Sequence, residues 1–153
     1  MHAVSAFSFQ RGASMPQELV ETASALGYRA LALTDECSMA GAVRAYEQAE
    51  RHRQAQRHVV DVLVGSELNF ADGLRCVALA ETRSGYTQLC RAITRARRAS
   101  DKGGYRLLRD DVDASLADCS LLWIARDADE LDELAWLRER YAGRLWIAAE
   151  LHR

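Results

Sequence analysis

Two adjacent carboxylates, Asp35 and Glu36, close the apolar run that begins at Ala30 and leads into the stretch Leu31-Ala-Leu-Thr-Asp35-Glu36-Cys37-Ser-Met-Ala-Gly41. Small residues then carry the chain to Gly41. A buried strand that ends in acids and turns into a helix is how an α/β protein presents ligands at the carboxyl edge of its sheet. The same spacing also suits Asp35 as a helix cap, because Asp is a preferred cap. Cys37 lies beside the acids and is the one cysteine kept as a candidate ligand.

The flanking elements must place those acids. His2 to Phe9 alternates loosely and predicts a short first strand leading into a loop, with a turn at Arg11-Gly-Ala-Ser14. Ser14 and Gln17 fit a capping box, and Pro16 suits the first helical turn. Leu19, Val20, Ala23 and Leu26 recur at helical spacing, and Gly27 stops that helix. Arg29 to Thr34 is the second strand. A second helix runs from about Met39 to about His52, with Val43, Tyr46 and Ala49 on one face. His58 to Val64 predicts a third, buried strand ending at Gly65-Ser66-Glu67. Leu68 to Phe70 and Leu74 to Ala80 flank Ala71-Asp72-Gly73, a strong hairpin signal.

Further on, Gly85 to about Arg98 predicts a helix with Tyr86, Leu89, Cys90 and Ile93 inward and a basic end: Arg91, Arg95, Arg97 and Arg98. That end either faces DNA or a neighbouring domain, or is a solvated face whose charge suits a helix C-terminus. Ser100 to Gly104 is a loop. Arg106 to Val112 is ambiguous, with Asp110, Asp111 and Asp113 placed to cap a short helix. Leu121 to Ala125 is a strand. Asp129 to about Tyr141 is a helix with Leu131, Leu134 and Leu137 inward. Leu145 to Leu151 is a last strand, apolar enough for full burial. Trp123, Trp136 and Trp146 are expected in the core or at a domain contact. The order predicts an α/β protein with a largely parallel sheet. A buried last strand needs neighbours and covering helices, so the chain is expected to be the leading part of a larger protein.

Composition bounds the function classes. The 153 residues are 49% apolar, which suits one globular domain rather than disorder. A net charge of −2 argues against a free-standing nucleic-acid binder held by bulk charge. Four dispersed cysteines without a CxxC, no signal peptide and no long apolar stretch predict a cytoplasmic protein with reduced thiols and no membrane contact. His52 and His58 flank a charged helix end and are expected to be solvated; His152 is given no role.

His2-x-x-Ser5-x-Phe7-Ser8-Phe9-x-Arg11-Gly12-Ala13-Ser14 resembles the opening of the polymerase and histidinol phosphatase (PHP) domain. So do Leu31 to Gly41, Gly65-Ser66-Glu67 and Leu79-Ala80-x5-Tyr86-x2-Leu89-Cys90. The Phe-Ser-Phe-x-Arg-Gly-Ala-Ser and Thr-Asp-Glu-Cys-Ser signatures resemble the branch at the N-terminus of bacterial error-prone DNA polymerase III alpha subunits. The resemblance runs from His2 to about Asp113.

That resemblance implies an incomplete PHP-type (β/α)7 TIM-like barrel, mostly parallel with one β-hairpin, as a single domain over residues 1–153. It also implies a divalent metal cluster, zinc or manganese, at the strand ends, which in active members hydrolyses phosphoesters. The ligand set is incomplete. His2 matches the first His of the family's His-x-His, but Val4 stands at the second. Asp35 matches the Asp of an Asp-His pair, but Glu36 replaces the His. Glu67 matches the family's Glu, and Arg75 falls near the next expected His. The candidate metal residues are His2, Asp35, Glu36 and Glu67, with Cys37 a poor fifth. The expected state is metal-free, with the carboxylates held by Arg and backbone donors; one residual zinc or manganese is the alternative. The implied partners are other domains of the polymerase chain, DNA through the parent enzyme and translesion accessory proteins. The implied role is a non-catalytic scaffold of an error-prone polymerase; the alternative is a metal-dependent phosphoesterase or a proofreading-type exonuclease.

Overall fold

The computed structural model describes residues 2–112, 115–125 and 131–148. Four expectations lie outside those residues: the Asp113 cap, the helix start at Asp129, the strand end at Leu151, and His152. The chain divides into two compact units, residues 1–66 and 67–153.

The first unit holds β1 (His2–Ala3), α1 (Pro16–Ala25), β2 (Ala30–Leu33), α2 (Ala42–Gln54) and the leading part of β3 (Asp61–Asn69). The three strands pair in parallel, with His2 opposite Ala32 and Ala30 opposite Asp61. Helices α1 and α2 pack on each other, and α1 packs on β2. Val20, Ala23, Leu31, Leu33, Ala45, Ala49 and Val60 form the core between them.

β1 is far shorter than the predicted His2 to Phe9. Beyond Ala3 the chain folds back on itself, so that Ser8 N–H donates to the Ser5 carbonyl at 2.9 Å. Helix α1 starts at Pro16, with the Glu18 carboxylate accepting the Met15 N–H at 2.7 Å. The capping pair is therefore Met15 and Glu18, one residue later than Ser14 and Gln17. Gly27, at φ +73°, ends the helix as expected.

Helix α2 turns a different face inward. Ala45, Gln48, Ala49 and His52 are buried, whereas Val43 and Tyr46 are 65% and 61% exposed. The alanines give α1 room to approach, which larger side chains would deny. His52, expected to be solvated, is buried: its Nδ1 lies 3.2 Å from Ser24 Oγ and its Nε2 3.3 Å from Gln48 Nε2. His58 is exposed, as expected.

β3 runs unbroken from Asp61 through Gly65-Ser66-Glu67 to Asn69. Its buried stretch is Gly65 to Leu68; Leu63 is exposed, so the predicted strand His58 to Val64 is misplaced toward the N-terminus.

The second unit adds β4 (Arg75–Ala80), α3 (Arg83–Arg98), α4 (Arg109–Val112), β5 (Cys119–Ile124), α5 (Leu131–Tyr141) and β6 (Leu145–Ala148). The turn before β4 closes through Phe70 N–H to the Leu74 carbonyl at 2.8 Å, with Gly73 at φ +102°. This is the predicted hairpin. It reverses β4, which then pairs antiparallel with β5, Cys76 opposite Trp123. β5 and β6 are parallel, Leu121 opposite Leu145. The fold is α/β with mostly parallel strands.

Helix α3 is capped by Thr82, whose Oγ1 accepts the Gly85 N–H at 3.1 Å. Gly85, Leu89, Ala92 and Ala96 are buried, and Tyr86 is exposed rather than inward. The inward stripe starts at Gly85 because a Cβ there would stand 2.0 Å from the Asp118 carbonyl oxygen. In α5, Leu137 and Tyr141 are buried, Leu134 is half-buried and Leu131 is exposed. The Tyr141 hydroxyl donates to the Val112 carbonyl at 2.9 Å. β6 is not the buried strand its composition suggests: Trp146 and Ile147 are exposed. Trp123 is buried and Trp136 packs edge-on against Phe70 and Tyr141.

Candidate functional site

β2 delivers Thr34, Asp35 and Glu36 to its carboxyl end. Cys37, buried and at φ +44°, then turns the chain toward α2. Left-handed backbone at a non-glycine residue is uncommon and places the two acids on a tight bend.

Asp35 is 1% exposed. Its Oδ1 accepts the Ser5 N–H at 2.7 Å and the Ser8 hydroxyl at 2.8 Å, and its Oδ2 accepts the Ser5 hydroxyl at 2.7 Å. Ser8 Oγ in turn accepts the Glu36 N–H at 2.8 Å. Ser66 Oγ donates to the Asp35 carbonyl at 2.8 Å and accepts the Ser38 N–H at 3.0 Å. Hydrogen bonds to an ionised acceptor are short and strong, and these supply the solvation that burial removes. Gly12 and Gly41 let the chain close around this carboxylate. A Cβ at Gly12 would lie 2.0 Å from the Ser5 carbonyl oxygen, and one at Gly41 would lie 3.0 Å from Asp35 Oδ2.

Glu36 points elsewhere and pairs with Arg11, Nη1 to Oε2, at 2.7 Å. His2 Nδ1 lies 3.4 Å from Thr34 Oγ1. In the second unit, Glu67 is buried on β3, and Arg75 Nη2 donates to its Oε1 at 3.3 Å. The same unit buries Cys76 and Cys119. Burial, then the Glu67 and Glu133 carboxylates, pushes the Cys76 thiol up to about 12. Burial raises Cys119 to about 11, opposed by Arg144 and helped by Asp118 and Glu81. No disulfide joins the four cysteines.

These residues do not suit a divalent metal. Asp35 already accepts three donors from its own chain, and guanidinium groups stand against Glu36 and Glu67, where a cation would be repelled. Among the described residues, no three His, Cys, Asp or Glu side chains are grouped to hold an ion. Sequence reasoning did not assign Ser5, Ser8 or Arg11 a role in holding the acids. The signal was there: two hydroxyls three residues apart in a turn rich in small residues, followed by an arginine.

The basic residues of α3 are separated by their surroundings. Arg95 donates to the Asp111 carbonyl at 2.8 Å. Arg97 lies over the Tyr105 ring, 5.2 Å from its centroid. Arg91 and Arg98 are exposed and line an open groove of about 600 Å³ with Thr87, Cys90, Thr94, Arg95 and Ala99.

Comparison with known proteins places these features in a class. Residues 1–145 match the PHP domain. This chain belongs to the PHP domain family. It is 51% identical over 153 residues to the error-prone DNA polymerase of Pseudomonas aeruginosa and 52% identical to that of Pseudomonas paraeruginosa, covering all of this chain in each case. The chain spans about 14% of the length of those relatives. In fold it is similar to an amidohydrolase from Chromobacterium violaceum solved with sulfate and without metal, at a TM-score of 0.66 and 17% identity, covering 95% of this chain and 74% of that one. It is also similar to a Bifidobacterium adolescentis protein described as a metal-dependent phosphoesterase, at a TM-score of 0.62 and 16% identity, covering 94% and 74%. No helix among the described residues is long and apolar enough to cross a membrane.

Proposed function

We propose that this chain is the N-terminal PHP-like domain of an error-prone, translesion DNA polymerase alpha subunit, and that it acts there as a scaffold with a degenerate metal site and no catalysis of its own. The observation that carries the reading is the fate of Asp35. Its carboxylate is turned inward and satisfied by Ser5 and Ser8, so the acid braces the loop that precedes α1 instead of facing a substrate. Nucleotidyl transfer then belongs to other domains of the polymerase chain. Those domains, DNA held by the parent enzyme and translesion accessory proteins are its partners, in the cytoplasm.

A second reading is a metal-dependent phosphoesterase or proofreading-type exonuclease, favoured by the fold it shares with the protein described as a metal-dependent phosphoesterase. Metal per chain, measured by elemental mass spectrometry on protein purified without chelator or His tag, separates the two. Near zero is expected, with no phosphodiesterase activity on added zinc or manganese. One or more equivalents, lost in Glu36→Gln with the fold intact, would replace the scaffold reading with the hydrolytic one.

A further inference from the structure

We propose that the arginine groove along α3 binds the sugar–phosphate backbone of a DNA strand, without reading its sequence. The proposal rests on the polymerase reading only for the source of the strand; the binding itself stands on the groove.

The lining is Thr87, Cys90, Arg91, Thr94, Arg95, Arg98 and Ala99. Among the described residues it contains three arginines and no carboxylate. Arg95 leans toward Asp111, 4.0 Å from its Oδ1, so Arg91 and Arg98 supply the charge that faces outward. They are seven residues apart on one helix, about 10.5 Å at the usual rise of an α-helix. A DNA strand carries one charge per about 3.4 Å of axis, so the two guanidiniums bracket a run of about three phosphates. Arginine offers a planar fork of donors that suits phosphate oxygens, and the Thr94 hydroxyl, which also lines the groove, is of the kind that binds DNA backbone; the Thr87 hydroxyl is already given to the Arg83 carbonyl at 3.1 Å.

An acidic protein helix would meet the same charge, but it needs something more. Protein interfaces are anchored by large apolar or aromatic side chains in a desolvated centre. Among the described residues the groove has no Leu, Ile, Val, Met or aromatic side chain in its lining. The opposite, buried stripe of α3 (Gly85, Leu89, Ala92, Ala96) already packs the helix onto its unit, so the arginines are not needed to hold it.

The test is fluorescence anisotropy of this chain with a short fluorescein-labelled oligothymidylate across a salt series. Binding at low salt is expected. Arg91→Gln/Arg98→Gln should weaken it by at least about tenfold and lower the log–log salt slope by about 1.4, roughly 0.7 for each single-strand phosphate no longer neutralised. Arg138→Gln, an exposed arginine of α5, should change neither. Arg91→Lys/Arg98→Lys keeps both charges and should keep the slope, which covers the case of a glutamine pair that fails to fold. Any of four results overturns the proposal: no binding at low salt; equal weakening by Arg138→Gln; a diminished slope in the folded lysine pair; or displacement of the DNA by polyglutamate as readily as by unlabelled oligonucleotide, which would make the groove a site for acidic polypeptide.

Discussion

Ser5 grips Asp35 twice. Its peptide N–H reaches one carboxylate oxygen and its hydroxyl the other, each at 2.7 Å, across 30 residues of chain. With Ser8 on the first oxygen, the loop between β1 and α1 is fixed to the end of β2 by hydrogen bonds to one buried acid.

That clasp predicts an order of stability losses. Ser5→Ala and Ser8→Ala should each cost about 1–3 kcal/mol, since each leaves the buried carboxylate short of a donor. Asp35→Ala, which orphans all three donors, should cost about 3 kcal/mol or more. At about 2–4 °C per kcal/mol for a domain of this size, the serine variants melt visibly lower by circular dichroism. A pair of serine variants that melt like the parent would show the clasp contributes nothing.

The glycines around the clasp should differ from each other. At Gly12 a methyl group meets the Ser5 backbone carbonyl, whereas at Gly41 it meets the side chains of Leu33, Pro16 and Asp35. Side chains yield more readily than backbone. Gly12→Ala should therefore destabilise beyond the roughly 1–3 kcal/mol typical of overpacking, and Gly41→Ala should fall within it. Urea denaturation of the two variants checks the ranking, and the reverse order would refute it.

Arg75 should matter through its pairing with Glu67. Arg75→Met leaves a buried carboxylate without its guanidinium and should cost about 1–3 kcal/mol, below the full cost of breaking a buried pair because Arg75 is partly exposed. Glu67→Gln/Arg75→Met should recover part of that loss. A double-mutant cycle reads the coupling directly; a coupling indistinguishable from zero would mean the pair is incidental.

The thiols should respond to alkali with a definite sign. Cys76 and Cys119 hold their protons to about 12 and about 11 when folded, against an ordinary value of 9.0. Above that ordinary value the unfolded chain loses protons that the folded chain keeps. Their contribution is thus constant below about pH 9 and is lost as pH rises toward 11–12. Urea midpoints across that range should fall, and Cys119→Ala should flatten the slope. At pH 8, a disulfide reagent should label Cys90 first, because Cys37, Cys76 and Cys119 are buried. Rapid labelling of Cys76 in the folded protein would contradict its environment.

Much of this was legible in the residues. The hairpin at Ala71-Asp72-Gly73, the stop at Gly27, Pro16 at a helix start and the acids at the end of β2 all follow from local chemistry, and local chemistry is what a sequence displays. Which face of a helix turns inward does not. Tyr46 and Tyr86 satisfy an apolar count, yet Ala45 and Gly85 are buried because α1 approaches in one case and the Asp118 carbonyl in the other. His52 sits in a charged stretch, and only the approach of Ser24 makes it a buried, hydrogen-bonded residue. The departures from the metal pattern could be read directly as Val4, Glu36 and Arg75. The serines that hold Asp35 were visible as a pair of hydroxyls, but their partner was not, because it lies about thirty residues away.

The clasp also bears on how the chain reaches its fold. Ser5 and Ser8 meet Asp35 across about thirty residues of chain, so their hydrogen bonds enclose a long loop whose closure entropy must be met before they form. Interactions made late in folding set how fast the native state opens and leave the rate of forming it nearly unchanged. Ser5 and Ser8 are on this account a latch on escape: Ser5→Ala should steepen the loss of native protein with time, while refolding after dilution from denaturant proceeds at the parent's pace.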